Sequence, residues 1–247
     1  MSTETILITG ASSDLAAELI RSIASRGNAA CILAHFHHGR ERMEKLRSEL
    51  GDHFEPIQAD LSEPSGVEQL IAQVRSRTEF PNKIVHFAGL KLRLERFAQA
   101  DLTRFDADFQ VQVRAAMRLL QEFLPAMARA ENRTKVVLVL SSATLGVPAK
   151  FMSAYTVVKY AESGLLRALA VEYAGTSVNI NGVSPYMVGT QFLSEIPEKA
   201  RDMAAAATPD KRLATPAEVV AIIEFLLSSG SDYLNGVNLP VTGGTVF

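Results

Sequence analysis

Short apolar runs recur along the chain and alternate with longer stretches whose apolar residues fall three or four positions apart. The short runs lie at 5–9, 29–35, 54–59, 83–87, 135–141, 177–184 and 237–241. Some are continuously apolar at their centres, as in Val136-Val137-Leu138-Val139-Leu140. A strand reads this way when both faces of its sheet are covered, the usual state of a parallel sheet. The longer stretches predict helices at 15–26, 40–50, 64–77, 105–130, 152–173 and 216–227. In the first, Leu15, Leu19, Ile20 and Ile23 share one face. In the last, Thr215 caps the start and Pro216 takes the first helical position. Pro125 predicts a kink or break in the long central helix. Alternating strand and helix predict one α/β domain over 1–247: a doubly wound, mostly parallel, seven-stranded sheet of Rossmann type with helices on both faces. Ligands of such sheets bind beyond the carboxyl ends of the strands, so chemistry is sought just after each run.

Composition narrows the classes. A net charge of −2 in 247 residues argues against a nucleic-acid partner, which calls for a basic stripe. No apolar run approaches the roughly 20 residues of a membrane span, and Met-Ser-Thr-Glu-Thr opens the chain without a basic leader region. The single cysteine, Cys31, makes no intrachain disulfide and no cysteine-built zinc site. The clustered His35, His37 and His38 have no carboxylate or thiol arranged with them, so no metal site is expected. These features predict a soluble cytoplasmic protein.

Two segments carry candidate chemistry. After the first strand, Thr9-Gly10-Ala11-Ser12-Ser13-Asp14-Leu15-Ala16 opens a helix. Gly10 allows a tight turn, and a helix N-terminus attracts a diphosphate. A plain strand end with Ser12, Ser13 or Asp14 as helix cap accounts for the same residues. Asp14 would repel a diphosphate unless its side chain turns away. The second segment is Tyr155-Thr156-Val157-Val158-Lys159. Four residues apart on a helix, the phenol and the ammonium share a face, and the cation favours the phenolate. A half-buried tyrosine with a snorkelling lysine is the plainer alternative. Ser142 ends the strongest strand, thirteen residues before Tyr155, where its hydroxyl could polarise a carbonyl beside the phenol, with plain capping of the strand end as the alternative.

Together these residues resemble the short-chain dehydrogenase/reductase family, in particular the single-domain type that includes 3-oxoacyl-acyl-carrier-protein reductases. The resemblance spans nearly the whole chain, through Asp60-Leu61, Ala88-Gly89, Asn181-Gly182-Val183-Ser184-Pro185, Arg212 to Glu218 and Val241-Thr242-Gly243-Gly244. It implies an enzyme that reduces a ketone, or oxidises a secondary alcohol, by hydride transfer with a nicotinamide cofactor. Tyr155 would be the acid/base, Lys159 would tune it and bind the nicotinamide ribose, and Ser142 would polarise the carbonyl. Gln112 would stand where the family places an Asn that supports a water relay to the lysine. The cofactor would contact Gly10, Ser12, Ser13, Asp14 and Leu15 in the first turn, Asp60 and Leu61 at the adenine, and Ala88 and Gly89 beyond the fourth strand. Pro185, Val188 and Thr190 would line the nicotinamide.

The pattern departs from the family at Asp14, Ala16, Phe87, Gln112 and Tyr186. These substitutions keep open an alternative, a non-catalytic ligand-binding or scaffold protein. No acid stands at Ala34, where an NAD enzyme would bind the ribose diol, and His35 and Arg40 would face a 2′-phosphate. The expectation is therefore NADP(H) over NAD(H), although Ser13 lacks the basic residue often found there. A lid is expected over about 190–212, with Phe192, Leu193, Ile196 and Met203 facing an acyl, cyclic or otherwise apolar ketone. Lys91, Arg93 and Arg96 would hold a carrier protein or CoA phosphate, or form a solvated basic loop balanced by Glu95. The family assembles through its two long helices, which implies a homodimer or homotetramer, with the Phe247 tail in a second interface.

Overall fold

In the computed structural model, which describes residues 4–26 and 30–246, the apolar runs become one seven-stranded sheet, every strand parallel to its neighbour. The strands are β1 (Thr5–Thr9), β2 (Cys31–Phe36), β3 (Phe54–Gln58), β4 (Lys83–His86), β5 (Thr134–Val139), β6 (Val178–Pro185) and β7 (Asn238–Val241). Their order is β3-β2-β1-β4-β5-β6-β7. The direction of winding reverses between β1 and β4, where Thr9 pairs with His86. That switch point opens a crevice at the carboxyl ends of the strands. All eight residues of β6 are buried, the polar Asn179, Asn181 and Ser184 among them. Pro56 and Pro240 lie in β3 and β7, the two edge strands, where a missing N–H costs no ladder bond. The expected start of the second strand at residue 29 and the Phe247 tail lie outside the described residues.

Helices cover both faces: α1 (Asp14–Ser25), α2 (Arg40–Leu50), α3 (Pro64–Arg75), α4 (Leu102–Phe109), α5 (Ala115–Met127), α6 (Ser153–Glu172), α7 (Glu198–Ala207) and α8 (Pro216–Leu227). One core joins the sheet to Val67, Leu70, Leu119, Phe123 and Leu166; the other joins it to Leu19, Ile20, Leu46, Val219 and Ile223. The cap expected at Thr215 forms a full capping box with Glu218.

Two expectations about helices change. Pro125 does not break the central helix; it sits inside α5 near its last turn. Gln121, whose carbonyl loses its amide partner, is exposed, so water can take that bond. The irregularity lies earlier, where residues Gln110–Arg114 form a π-helical segment between α4 and α5. Such segments often mark functional sites. This one carries Gln112 toward the crevice.

Candidate active site

Gly10 makes the first turn at φ +68°, and a Cβ there would lie 2.8 Å from the Ala88 nitrogen. Only glycine brings β1 this close to β4. Ser13 caps α1, its hydroxyl accepting from the Ala16 N–H at 3.3 Å. The Gly10 N–H donates to His35 Nδ1 at 3.2 Å, while His35 Nε2 donates to the Ala59 carbonyl at 3.1 Å. This corrects the expected role of His35. β2 runs on to Phe36, so His35 lies within the strand, 2% exposed, where it cannot meet a phosphate. Burial also lowers its pKa to about 4, leaving it neutral. Arg40 is likewise turned outward, donating to Gln58 Oε1 at 2.5 Å.

The basic residue that does reach the first turn is Arg42, which the sequence did not single out. It stands in the first turns of α2, and its Nη1 donates to the Ser12 carbonyl and to Asp14 Oδ1, both at 2.7 Å. The second oxygen of Asp14 accepts from the Gln191 N–H at 2.6 Å. Asp14 thus bridges α1, α2 and the segment after β6, and Arg42 balances its charge.

A cavity of about 420 Å³ runs from this turn to the ends of β4, β5 and β6. Ser12, Ser13, Asp14, Leu15, His38 and Arg42 line one end. Ser142, Tyr155, Lys159 and Gln112 line the other, with Gly10, Ala88 and Gly89 along the floor. Pro185, Val188 and Thr190 close one side, and Tyr186, Met187 and Phe192 add apolar walls. Asp60 and Leu61 lie outside it. Asp60 accepts from the Ser62 N–H at 2.9 Å and the Ser62 hydroxyl at 2.7 Å, and Leu61 is buried in the core. Of the basic loop, Lys91 reaches the cavity, whereas Arg93 and Arg96 are exposed outside its lining.

Tyr155 and Lys159 rise on successive turns of α6, with Lys159 Nζ 5.9 Å from the centre of the phenol ring. Burial raises the Tyr155 pKa; Lys159 and the neighbouring Ser141 hydroxyl lower it, and Glu162 and Asp108 raise it again. The net direction is upward. The cation acts as the sequence predicts, but the buried setting outweighs it. Burial also pulls Lys159 down, yet Glu162 and Tyr155 more than offset it, so it stays charged and above its ordinary range. Lys159 Nζ donates to the Val139 carbonyl at 2.8 Å and to Glu162 Oε2 at 2.7 Å.

Ser142 is half-buried and opens the short turn after β5, while Ser141 caps that turn by accepting from the Ala143 N–H at 3.2 Å. Gln112 is 1% exposed, and its amide donates to Asp108 Oδ1 at 2.6 Å. Sequence reasoning missed Ser141, Asp108 and Glu162. Only Ser141 left a signal, as the first residue of the Ser-Ser pair.

The arrangement joins an anion site, built from a helix N-terminus, two hydroxyls and an arginine, to a proton donor beside a fixed cation. A family model described as enoyl-(acyl carrier protein) reductase matches residues 10–246. The chain belongs to the short-chain dehydrogenase/reductase family. This short-chain dehydrogenase/reductase is 30% identical over 256 residues to Oxidoreductase UcpA of Escherichia coli (strain K12), covering 98% of this chain and 94% of UcpA. It resembles a crystal structure of a short-chain dehydrogenase/reductase, glucose/ribitol dehydrogenase, from Brucella melitensis at a TM-score of 0.87 and 25% identity, over 99% of this chain and 97% of that one. A 3-ketoacyl-(acyl-carrier-protein) reductase from the same organism, complexed with NADH, shares the fold at a TM-score of 0.86 and 24% identity, over 99% and 98% of the two chains. Membership makes the protein an oxidoreductase of the hydride-transfer kind.

Proposed function

We propose that the protein is an NADP(H)-dependent ketoreductase that reduces an apolar, acyl or cyclic ketone, free or carrier-linked, or oxidises the matching secondary alcohol. The observation that carries this reading is one cavity on which Tyr155, Lys159, Arg42 and the start of α1 all open. The first turn fits a dinucleotide. Ser12, Ser13 and Leu15 line its end of the cavity, Gly10 keeps that turn close to β4, and Arg42 already neutralises Asp14. Ala88, Gly89, Pro185, Val188 and Thr190 would border the nicotinamide half. Arg42 and His38 lie at the end where a 2′-phosphate would sit, taking the part expected of His35 and Arg40.

When bound, the cofactor supplies the hydride to the carbonyl carbon. Tyr155 holds the carbonyl oxygen by its hydroxyl and gives up its proton as that oxygen gains charge. The Ser142 hydroxyl donates to the same oxygen and polarises it. Lys159, pinned by the Val139 carbonyl and Glu162, holds a positive charge beside the developing phenolate. The segment 190–212 acts as the lid. Leu193 and Ile196 pack against Leu92, Ala143 and Met152, which keeps water from the reacting end.

A second reading keeps the fold and drops the chemistry. The Asp14 bridge from Arg42 to the Gln191 N–H spans the nucleotide end of the cavity, as a ligand-binding member without turnover would allow. Fluorescence titration with both cofactors and a ketone panel separate the two. The first reading predicts tighter NADPH than NADH and turnover of at least one apolar ketone. Tighter NADH refutes the preference, and cofactor binding with no turnover favours the second. We also place the protein in the cytoplasm as a homodimer or homotetramer joined through α5 and α6, which expose Met117, Val157, Tyr160 and Val171. A monomer by light scattering contradicts that assembly.

A further inference from the structure

Behind Lys159 lies an acid to which the proposed chemistry gives no role beyond holding the lysine in place. Glu162 follows Lys159 by one turn of α6 and is 0% exposed. Its Oε2 accepts from Lys159 Nζ at 2.7 Å, while its Oε1 is buried and has no hydrogen-bond partner among the described residues. A structural ion pair in a protein interior normally satisfies both carboxylate oxygens, because an ionised oxygen left bare there is costly. The half-satisfied state suits a carboxyl that spends part of its time protonated.

The surroundings agree with that reading. On α6 itself, Glu162 faces Lys159 and Tyr155. From α4 it meets Asp108, whose Oδ1 accepts from the Leu90 N–H at 3.0 Å and from Gln112 Nε2. From β4, His86 is buried near the lysine, with Nδ1 2.8 Å from the Thr9 hydroxyl. Burial keeps His86 neutral, so it adds no countercharge. Lys159 is therefore the cation beside a carboxyl that also has a second acid, Asp108, in its field. Burial raises the Glu162 pKa to about 7; Lys159 opposes the rise and Asp108 adds to it.

We propose that Glu162 is a positioning residue whose carboxyl, by holding or releasing one proton, sets the charge that Lys159 presents to Tyr155. With Glu162 protonated, the Lys159 cation is unopposed and the phenol gives up its proton more readily. With Glu162 ionised, the pair is neutral overall and the phenol is held protonated. The proton exchanged is Glu162's own, taken from or returned to water, and no bond other than its O–H changes. The inference rests on Tyr155 and Lys159 acting as proposed above, but its first measurements need neither cofactor nor substrate.

The test compares the full-length protein with E162Q, which keeps an oxygen for Lys159 Nζ and removes the charge. Phenolate absorbance is titrated in each protein and in its Tyr155→Phe counterpart, so that subtraction isolates Tyr155 from the other four tyrosines. E162Q is expected to lower the Tyr155 pKa by about one unit, a tenfold rise in phenolate at a given alkaline pH. In turnover, kcat of the wild-type protein should show an inflection near pH 7 that E162Q lacks, with KM unchanged. An unchanged Tyr155 titration, or an inflection that survives in E162Q, overturns the proposal.

Infrared spectra of the wild-type protein supply an arm that needs no variant. A protonated-carboxyl band should persist above about pH 6, where solvated carboxyls are ionised. A band gone by about pH 5 overturns the proposal. A protein that turns over no ketone defeats the ketoreductase reading and leaves both titrations to decide on Glu162.

Discussion

Replacing Asp14 by Asn keeps the side chain's shape and removes its charge, and the structure predicts two effects of opposite sign. The first is on stability. The Asp14–Arg42 pair spans 2.7 Å with side chains 23% and 38% exposed, and an ion pair this open to water contributes about 0.2–1 kcal/mol. Asp14 is also the first residue of α1, where a carboxylate facing the helix dipole adds about 0.3–1 kcal/mol. The amide oxygen still accepts from the Gln191 N–H, so the combined loss is about 1 kcal/mol, a fall in Tm of about 2–4 °C. The second effect is on cofactor affinity. A unit charge about 8 Å from a phosphate, at an effective dielectric of about 20, costs roughly 2 kcal/mol. Arg42 cancels about half of that field, leaving about 1 kcal/mol, or roughly fivefold in Kd. Thermal melts and NADPH fluorescence titrations on the same two proteins should show a variant that melts lower and binds tighter. Binding weakened severalfold would refute the reasoning, because the carboxylate would then hold the cofactor. No change in either quantity would mean that the bridge to Arg42 and Gln191 does not form in solution.

The other predictions concern the same crevice. Arg42→Ala should weaken NADH by up to about fivefold, because the Asp14 charge beside the diphosphate loses its partner, and NADPH by about tenfold more, because the 2′-phosphate loses one as well; equal losses in the two titrations would place Arg42 elsewhere. Burial lowers the folded pKa of His35 to about 4 from its ordinary 6.5, so its stabilising effect is full above pH 6.5 and is lost as pH falls toward 4. The loss reaches about 3 kcal/mol, and urea melts of wild type and His35→Gln should show a shallower acid decline in the variant; parallel declines would contradict it. Lys159→Met should cut turnover by about a hundredfold or more and raise the Tyr155 pKa in an absorbance titration, and an unmoved phenol would remove Lys159 from its proposed role.

The sheet was legible because its inner strands are short and rich in Ile, Val and Leu, with an unbroken Val136 to Leu140 run across the end of β5, while Pro56 and Pro240 lie in the two edge strands. Tyr155 and Lys159 were legible because helical spacing alone puts them on one face. What stayed hidden depends on contacts between distant segments. His35 read as a strand-end residue, but β2 continues one residue past it and buries it. Arg42 is thirty residues from Ser12 in sequence and meets it only because α2 folds back over the first turn. Glu162 left no local signal, since nothing in the sequence around it shows that its side chain is buried near Lys159 and Asp108. The π-helical segment at Gln110–Arg114 has no sequence signature of its own, and it presents Gln112 to Asp108 rather than to Lys159.

The account stands or falls on the Tyr155 hydroxyl as the proton donor. Tyr155→Phe removes one oxygen and its proton from a cavity that otherwise keeps its lining. Turnover of the best ketone in the panel, followed by nicotinamide absorbance, should fall by about 10²–10⁴-fold, while the NADPH Kd from the same preparation stays within about twofold. Turnover that survives within tenfold, with cofactor binding intact, would contradict the account.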